Sequence, residues 1–176
     1  MGLPTETKED IAGIADLAYR VYKKGLEINR LHKRKKSIRI TISVAAYVPK
    51  PHTPFQWEPQ DSLEMMEEKQ QYLRSLIKKP IIYNYHDAKL SFLEGVFAKG
   101  DRKLADTLEE AWRLGCKFDS WREHFSYDKW LKAVEKTGVD PSFYANRPIR
   151  LDETLPWDHL DMGVSKRFLL REREKA

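Results

Sequence analysis

Cysteine is nearly missing from this sequence, since Cys116 is the only one among 176 residues. An internal disulfide is therefore excluded, and a thiolate-ligated zinc or iron–sulfur site would need ligands from outside the sequence. The segment around Cys116 (residues 114–118) is mostly apolar, which predicts a buried structural thiol rather than a nucleophile. We assign no metal ligand and no catalytic residue from the sequence.

Long apolar runs are missing as well. No stretch approaches the roughly 20 apolar residues that span a bilayer, and the amino terminus lacks the pattern of a secretory signal. We therefore expect no membrane contact and, by default, a cytoplasmic protein. The 41% hydrophobic content exceeds that of disordered chains, and the length suits one compact domain.

Positive charge is concentrated in one stretch of the sequence. The net charge is +5, and Arg20–Arg39 alone holds nine basic residues and one acidic residue. The centre of this basic patch, His32–Lys36, is a candidate for phosphate contacts. It contains no aromatic residues for base stacking, so nucleic acid is the less favoured partner. The alternative is a solvated turn between a helix and a strand.

Periodicity predicts a helix followed by parallel strands. Apolar residues at three- and four-residue spacing predict a helix over about residues 8–24, capped by Thr5 or Thr7 and stopped by Gly25. Ser37–Val48 predicts a strand buried on both faces, and Pro80–Tyr85 predicts a second strand. Strands of this kind belong to parallel sheets that need further strands. We therefore expect the remaining strands to lie outside the sequence.

A stiff loop and several helices complete the predicted elements. Pro49–Pro59 contains four prolines, which predict an extended loop at the carboxyl end of the first strand, where parallel α/β proteins build active sites. A helix over about residues 61–78 follows, and later helices are predicted at Leu90–Ala98, Arg102–Leu114, Tyr127–Thr137 and Val164–Arg173. The expected core of the helical part is aromatic: Trp112, Phe118, Trp121, Phe125, Tyr127 and Trp130.

Five segments in consistent order carry a family resemblance that covers nearly the whole chain. They are Gly2–Thr7, Val48–Trp57, His86–Arg102, Phe118–Phe125 and Leu155–Asp161. Together they resemble an uncharacterised family of radical S-adenosylmethionine proteins, whose longer members carry a cobalamin-binding-like amino-terminal domain. The match corresponds to the carboxyl-terminal part of that family only.

The resemblance implies a fold class and a chemistry. The fold would be α/β: residues 1–60 would supply the last helix and strand of a partial (β/α) barrel, and residues 61–176 a mainly helical carboxyl-terminal extension. The longer family members would hold a [4Fe–4S] cluster on a CxxxCxxC loop and would bind S-adenosylmethionine. That loop is not in this sequence, so we expect no cofactor on this chain alone and no oxidoreductase activity without the rest of the protein.

The resemblance also assigns candidate cofactor contacts. Gly2 and Pro4 would shape a turn whose backbone lies near the nucleotide, and Tyr47 and Val48 at the strand end would contact adenine. The alternative is that these four residues only shape the barrel rim.

Candidate substrate contacts lie in the loops that follow the strands. Lys50, His52 and Gln56 would line the barrel mouth, although His52 is equally suited to a hydrogen bond within the rigid loop. His86 is a further candidate that could act with Asp87 as an acid–base pair. Adjacent residues on an extended chain point apart, so a helix cap is the favoured role for Asp87.

Asp158–Asp161 contains two carboxylates and an imidazole, which suit divalent metals. No further ligands stand at a recognisable spacing, so we expect a salt-bridged anchor for the terminal helix instead.

Two functions from different classes follow. The first is a fragment of a radical S-adenosylmethionine oxidoreductase of unknown substrate, whose partner is the missing amino-terminal part of the same protein and whose open strand edge invites self-association. The second is a stand-alone RNA- or protein-interaction module that uses the basic patch Arg20–Arg39.

Overall fold

The computed structural model describes residues 1–175 and shows a mixed α/β protein that is mostly helical. Within this part of the chain there are seven helices and a two-stranded parallel sheet. The elements in chain order are α1 Lys8–Leu31, β1 Ile40–Val44, α2 Leu63–Leu76, β2 Ile81–Tyr85, α3 Ala88–Ala98, α4 Leu104–Arg113, α5 Tyr127–Thr137, α6 Pro141–Ala145 and α7 Lys166–Arg173.

Helix α1 begins as predicted but is longer. Thr7 is the N-cap and forms a capping box with Asp10, whose side chain accepts a hydrogen bond from the Thr7 backbone N–H at 2.8 Å. The prediction that Gly25 ends the helix is wrong, because α1 continues to Leu31. A Cβ at Gly25 would lie 2.7 Å from Ile38 Cδ1, so glycine there allows Ile38 to pack closely. Residues 20–31 of the basic patch are therefore helical, and its centre, His32–Lys36, follows the helix.

The two predicted strands exist and pair in parallel. Ile40 lies opposite Ile81 and Val44 lies opposite Tyr85. β1 is shorter than the predicted 37–48, and the prediction that it is buried on both faces is wrong. Its residues alternate between half-buried and exposed, because helices cover one face only in the described part of the chain.

The chain divides into two compact units that interleave in sequence. The first combines Met1–Tyr47 with Leu63–Ala88, and the second combines Val48–Ser62 with the residues from Lys89 onward. The sequence placed a single boundary after residue 60, whereas the structure groups α2 and β2 with α1 and β1. The assignment of residues 1–60 to a barrel and 61–176 to an extension stays a prediction.

The first unit packs its helices over the sheet. Ile11, Ala15 and Leu73 form its buried core, and half-buried side chains from both strands, including Val44 and Tyr83, pack against it. The Tyr19 hydroxyl accepts a hydrogen bond from the Lys78 backbone N–H at 2.7 Å, which ties α1 to the end of α2.

The second unit is helical and has two clusters of buried side chains. One contains Trp57, Ile149, Leu155, Trp157 and Leu169. The other contains Leu93, Ala111, Cys116, Trp130 and Ala133. Cys116 is buried as predicted, and burial raises the pKa of its thiol, which makes it a poor nucleophile. Helix α6 was not predicted, although Asp140 and Pro141 form a typical helix start.

The predicted aromatic core is only half correct. Trp130 is buried, and Phe125 and Tyr127 pack against its cluster, but Trp112, Phe118 and Trp121 are 60%, 73% and 62% exposed. Helix α4 turns Leu104, Thr107 and Ala111 toward the interior, and Trp112, about 100° further around the helix than Ala111, points away from it. Across residues 1–175, no helix combines the length and apolar character needed to cross a membrane.

Candidate functional site

The proline loop after β1 is held by its own side chains. The backbone N–H of His52 donates to Gln56 Oε1 at 2.9 Å, and the Thr53 hydroxyl donates to the Lys50 carbonyl at 2.7 Å. His52 has a φ of 57°, a left-handed conformation that costs a residue with a Cβ about 1–3 kcal/mol. The bond to Gln56 helps to hold this strained turn in place.

Gln56 joins the proline loop to a segment about one hundred residues later in the chain. Its side chain is buried, and Oε1 also accepts a hydrogen bond from Trp157 Nε1 at 2.7 Å. The Ile149 backbone N–H donates to the Trp57 carbonyl at 2.9 Å. Val48–Trp57 and Leu155–Asp161, two segments that carried the family resemblance, are therefore packed against each other within the second unit.

A cavity of about 260 Å³ lies where these two segments meet. Its polar lining consists of His52, Gln56, Asp158, His159, Asp161 and Lys166. The His52 Nε2 atom is buried and has no hydrogen-bond partner among residues 1–175. An unpaired buried polar atom costs about 1–3 kcal/mol. His52 thus combines a strained backbone and an unpaired ring nitrogen beside a polar cavity, which makes it a candidate binding residue.

The two aspartates of this cavity have structural bonds of their own. Asp158 Oδ2 accepts from the Leu155 backbone N–H and Asp161 Oδ1 accepts from the Gly163 N–H, both at 2.8 Å. The predicted salt-bridged anchor for α7 is therefore wrong in its residues. The ion pair that ties α7 to the proline loop joins Arg173 Nε and Glu58 Oε1 at 2.6 Å. Within residues 1–175, no group of three or more histidine, cysteine or acidic side chains is arranged for a metal ion.

Lys50, the remaining substrate candidate of the proline loop, is engaged elsewhere. Its exposed ammonium forms an ion pair with Glu94 on α3. Lys50 is thus separated from the polar lining that contains His52 and Gln56. Of the three loop candidates, the structure brings two together.

The remaining candidates of the first unit gather at the carboxyl ends of the strands. Gly2 is buried with a φ of 97°, and its N–H donates to Glu6 Oε2 at 2.8 Å. The Tyr47 N–H donates to the Met1 carbonyl at 2.7 Å, which places Tyr47 beside the Gly2–Pro4 turn. The His86 N–H donates to the Val44 carbonyl at 3.4 Å, and its side chain is exposed just beyond β2.

Val48 begins the second unit, so it is grouped with the proline loop and not with Tyr47. The pairing of Tyr47 with Val48 as joint adenine contacts is therefore a prediction that the structure leaves open.

Two charged residues that were not predicted as candidates from the sequence are largely buried in the structure. Glu6 is largely buried, with Lys69 Nζ at 3.4 Å from its carboxylate, and it borders a cavity of about 280 Å³ between the start of α1 and α2. Glu6 lies within one of the segments that carried the resemblance, which is the signal that could have identified it.

Lys99 is the second missed residue. Its ammonium is buried at the end of α3 and donates to the Glu58 carbonyl at 2.9 Å and the Arg147 carbonyl at 3.3 Å. Burial and the nearby Arg147 charge lower its pKa to about 8, although Glu58 and Glu153 act in the opposite direction. Lys99 directly follows the apolar sequence of α3, and only the fold reveals the carbonyls that it bridges.

Comparison with known proteins gives one informative relative. No known protein-family model matches the chain. No solved structure matches it either. An uncharacterised protein of the archaeon Methanocaldococcus jannaschii is 30% identical over 141 residues, a stretch that covers 79% of this chain and 28% of that protein. The chain therefore corresponds to little more than a quarter of the length of this curated relative.

Proposed function

We propose that this chain is the carboxyl-terminal part of a radical S-adenosylmethionine iron–sulfur oxidoreductase, and that its proline loop contributes to the substrate site. The observation that carries the proposal is the bond between Gln56 and Trp157, 2.7 Å long. It joins two of the segments that carry the resemblance, beside a polar cavity lined by His52, whose buried Nε2 atom is unpaired.

The order of the elements supports the barrel part of the proposal. In the first unit α1, β1, α2 and β2 alternate, and consecutive strands are parallel neighbours, as in (β/α) barrels. The sheet has two strands in the described part of the chain, fewer than the roughly four to six strands that are typical of protein sheets, which favours further strands from a longer protein. The limited share of the archaeal relative that the chain matches agrees with this view.

The [4Fe–4S] cluster does not fit the residues of this chain. The one thiol, Cys116, is buried in an apolar cluster and its pKa is raised, whereas cluster ligands are thiolates. The cluster and the S-adenosylmethionine whose cleavage it drives would therefore be held by the remainder of the protein. Because the Gly2 N–H already binds Glu6, Gly2 would not donate this N–H to a nucleotide.

The size of the native polypeptide tests the proposal. An antibody raised against this chain should detect, in source cells, a protein well above 20.8 kDa. After anaerobic purification, that protein should contain iron and sulfide and should release 5′-deoxyadenosine from S-adenosylmethionine under reducing conditions. A native polypeptide of 20.8 kDa without a cluster would overturn the proposal.

The substrate role of the cavity has a separate test in the same longer protein. A small-molecule filtrate of source cells should stimulate 5′-deoxyadenosine release, and His52→Ala should abolish the stimulation while leaving the unstimulated rate within about twofold. The matched control is His124→Ala, because His124 is an exposed histidine outside the cavity. Equal stimulation of the His52→Ala and wild-type proteins would remove the cavity from the substrate site.

One observation favours the interaction module as a second candidate. Because α1 extends to Leu31, basic and apolar side chains share its exposed end, where Lys24, Glu27, Ile28, Arg30 and Leu31 border a groove of about 370 Å³. If this end binds RNA, the affinity should fall steeply as salt is raised. Salt-independent binding would exclude phosphate contacts as its basis.

A further inference from the structure

Met1 lies against the edge of β1 that faces away from β2. Its amino group donates to the Ala45 carbonyl at 2.9 Å, and its carbonyl accepts from the Tyr47 N–H at 2.7 Å. In a parallel ladder, one residue bonds to the two residues that flank the residue opposite it. Met1 bonds in this way to Ala45 and Tyr47, so the residue opposite Met1 is Ala46. Met1 is therefore in strand register with the end of β1.

The other edge of β1 is taken by β2. Ile40 to Val44 pair with Ile81 to Tyr85, and the Val44 carbonyl accepts from the His86 N–H. In a strand of a parallel sheet, the N–H and C=O of alternate residues point to opposite edges. Since Val44 faces β2 and Ala45 faces Met1, Thr41 and Ser43 also present their backbone groups to the outer edge. Both residues are exposed.

The side chain of Met1 is packed as a strand residue would be. It is 3% exposed and contacts the core of Ile11, Ala15 and Leu73 under the sheet. Gly2, with a φ of 97°, then turns the chain toward α1. The succession of a strand-like residue, a glycine turn and a helix that covers the sheet is the arrangement of a β–α unit.

We infer that the outer edge of β1 pairs with a third parallel strand, formed by polypeptide that leads directly into Met1. The Met1 bonds set the register: the residue two positions before Met1 lies opposite Val44, and the residue four positions before it lies opposite Ile42. The amides of Ser43 and Ala45 then donate to carbonyls of that strand.

A covalently preceding segment fits this edge better than a second copy of the chain. Two identical strands related by a twofold axis perpendicular to a shared sheet run antiparallel, whereas the Met1 bridge is parallel. A parallel neighbour connected through α1 also keeps consecutive strands adjacent. The inference rests on sheet geometry and is independent of the reaction proposed above, since it involves neither cluster nor nucleotide.

The test extends the full chain at Met1 by seven residues that alternate threonine and valine, which favour strands. Amide hydrogen exchange of Ser43 and Ala45, measured by NMR at single-residue resolution, should slow by about tenfold or more relative to the unextended chain. A second extension that alternates threonine and isoleucine guards against the failure of one sequence. Rapid exchange of both amides in both extended chains would overturn the inference.

Proline placement supplies the matched control and checks the register. A proline two positions before Met1 removes the N–H that should donate to the Ser43 carbonyl. Proline keeps its own carbonyl, but the loss of this ladder bond should separate the two strands locally, so the slow exchange of Ala45 should be lost. A proline three positions before Met1 replaces an N–H that points away from β1, so the slow exchange should persist. Equal effects of the two prolines would contradict the register. Slow exchange in the unextended chain that depends on protein concentration would identify a second copy as the occupant and overturn the inference.

Discussion

Two tryptophan-rich regions of the second unit have opposite environments. Trp57 and Trp157, which flank the candidate cavity, are 1% and 6% exposed, whereas Trp112 and Trp121 are 60% and 62% exposed. The four residues are the same type, and each lies near charged residues in the sequence. Composition therefore does not explain why one pair forms a core and the other does not.

The two regions differ in the hydrogen bonds that their backbone and polar side-chain atoms form. The cavity region has bonds across long stretches of sequence, from Trp157 Nε1 to Gln56 and from the Ile149 N–H to the Trp57 carbonyl. The bonds around Trp121 are local, to Phe118 and His124 within the same turn. In these two pairs burial coincides with long-range polar bonds, which satisfy backbone groups that would be costly to bury alone. Such bonds are not required for burial, since Trp130 is also buried and its Nε1 atom has no hydrogen-bond partner among residues 1–175.

The largest difference between the regions should appear when the buried aromatic side chain is removed. Trp57→Ala leaves a cavity in the cluster of Ile149, Leu155, Trp157 and Leu169 and should lower the free energy of unfolding by about 3–5 kcal/mol. Urea unfolding followed by circular dichroism measures this change. Trp112→Ala is the control and should alter stability by less than about 0.5 kcal/mol; similar losses for the two variants would erase the distinction.

The second prediction removes the polar link of the cavity region. Gln56→Met keeps the side-chain size but deprives the His52 N–H and Trp157 Nε1 of their acceptor. The cost should be about 2–4 kcal/mol of unfolding free energy, since an unpaired buried donor costs about 1–3 kcal/mol and the His52 N–H, which is only partly buried, accounts for the smaller share. The exposed Gln71→Met variant should be nearly neutral. A neutral Gln56→Met variant would mean that the apolar contacts alone hold the two segments together.

The third prediction concerns Lys99, which bridges the proline loop and the Arg147 segment. Its folded-state pKa of about 8 lies below the value of about 10.4 expected in the unfolded chain. Between these values the unfolded state binds more protons, so the contribution of Lys99 to stability rises with pH; below pH 8 the cost of burying the charge is fully present.

Urea unfolding at several pH values from 7 to 10 checks this dependence. The stability difference between wild type and Lys99→Met should shift in favour of wild type as pH rises through this range. Lys132→Met alters an exposed lysine on α5 and should preserve the wild-type slope. A constant difference between wild type and Lys99→Met would show that Lys99 titrates normally.

Local signals in the sequence predicted the helices and strands better than they predicted which side chains are buried or in contact. Helix α5 and the two strands were predicted, and Thr7 was one of the two predicted caps of α1, because caps and periodicity act over a few residues. The extension of α1 past Gly25 was missed because glycine is a typical helix stop, whereas Gly25 lies inside the helix and makes room for Ile38, a contact that no local pattern indicates.

The candidate site was predictable to a similar degree. His52 and Gln56 were predicted as candidate substrate contacts, since a proline-rich loop at a strand end is a local signal, and the structure places both beside one cavity. Their connection to Trp157 and the polar cavity was not, because it joins residues far apart in sequence. Glu6 and Lys99 were missed for the same reason: a charged side chain is recognised as buried only when its distant partners are known.

The smallest expected effect is that of replacing Trp121, one of the two exposed tryptophans compared above. Trp121→Phe should change the free energy of unfolding by less than about 0.5 kcal/mol, because the indole is largely exposed and its turn is held by backbone bonds. The chain has five tryptophans, so quenching of fluorescence by acrylamide should reveal an accessible fraction from Trp112 and Trp121 and a protected fraction from the other three. Trp121→Phe should reduce the accessible fraction alone. Loss from the protected fraction would instead place Trp121 in a buried environment. The region around Trp121 would then be buried without any long-range polar bond.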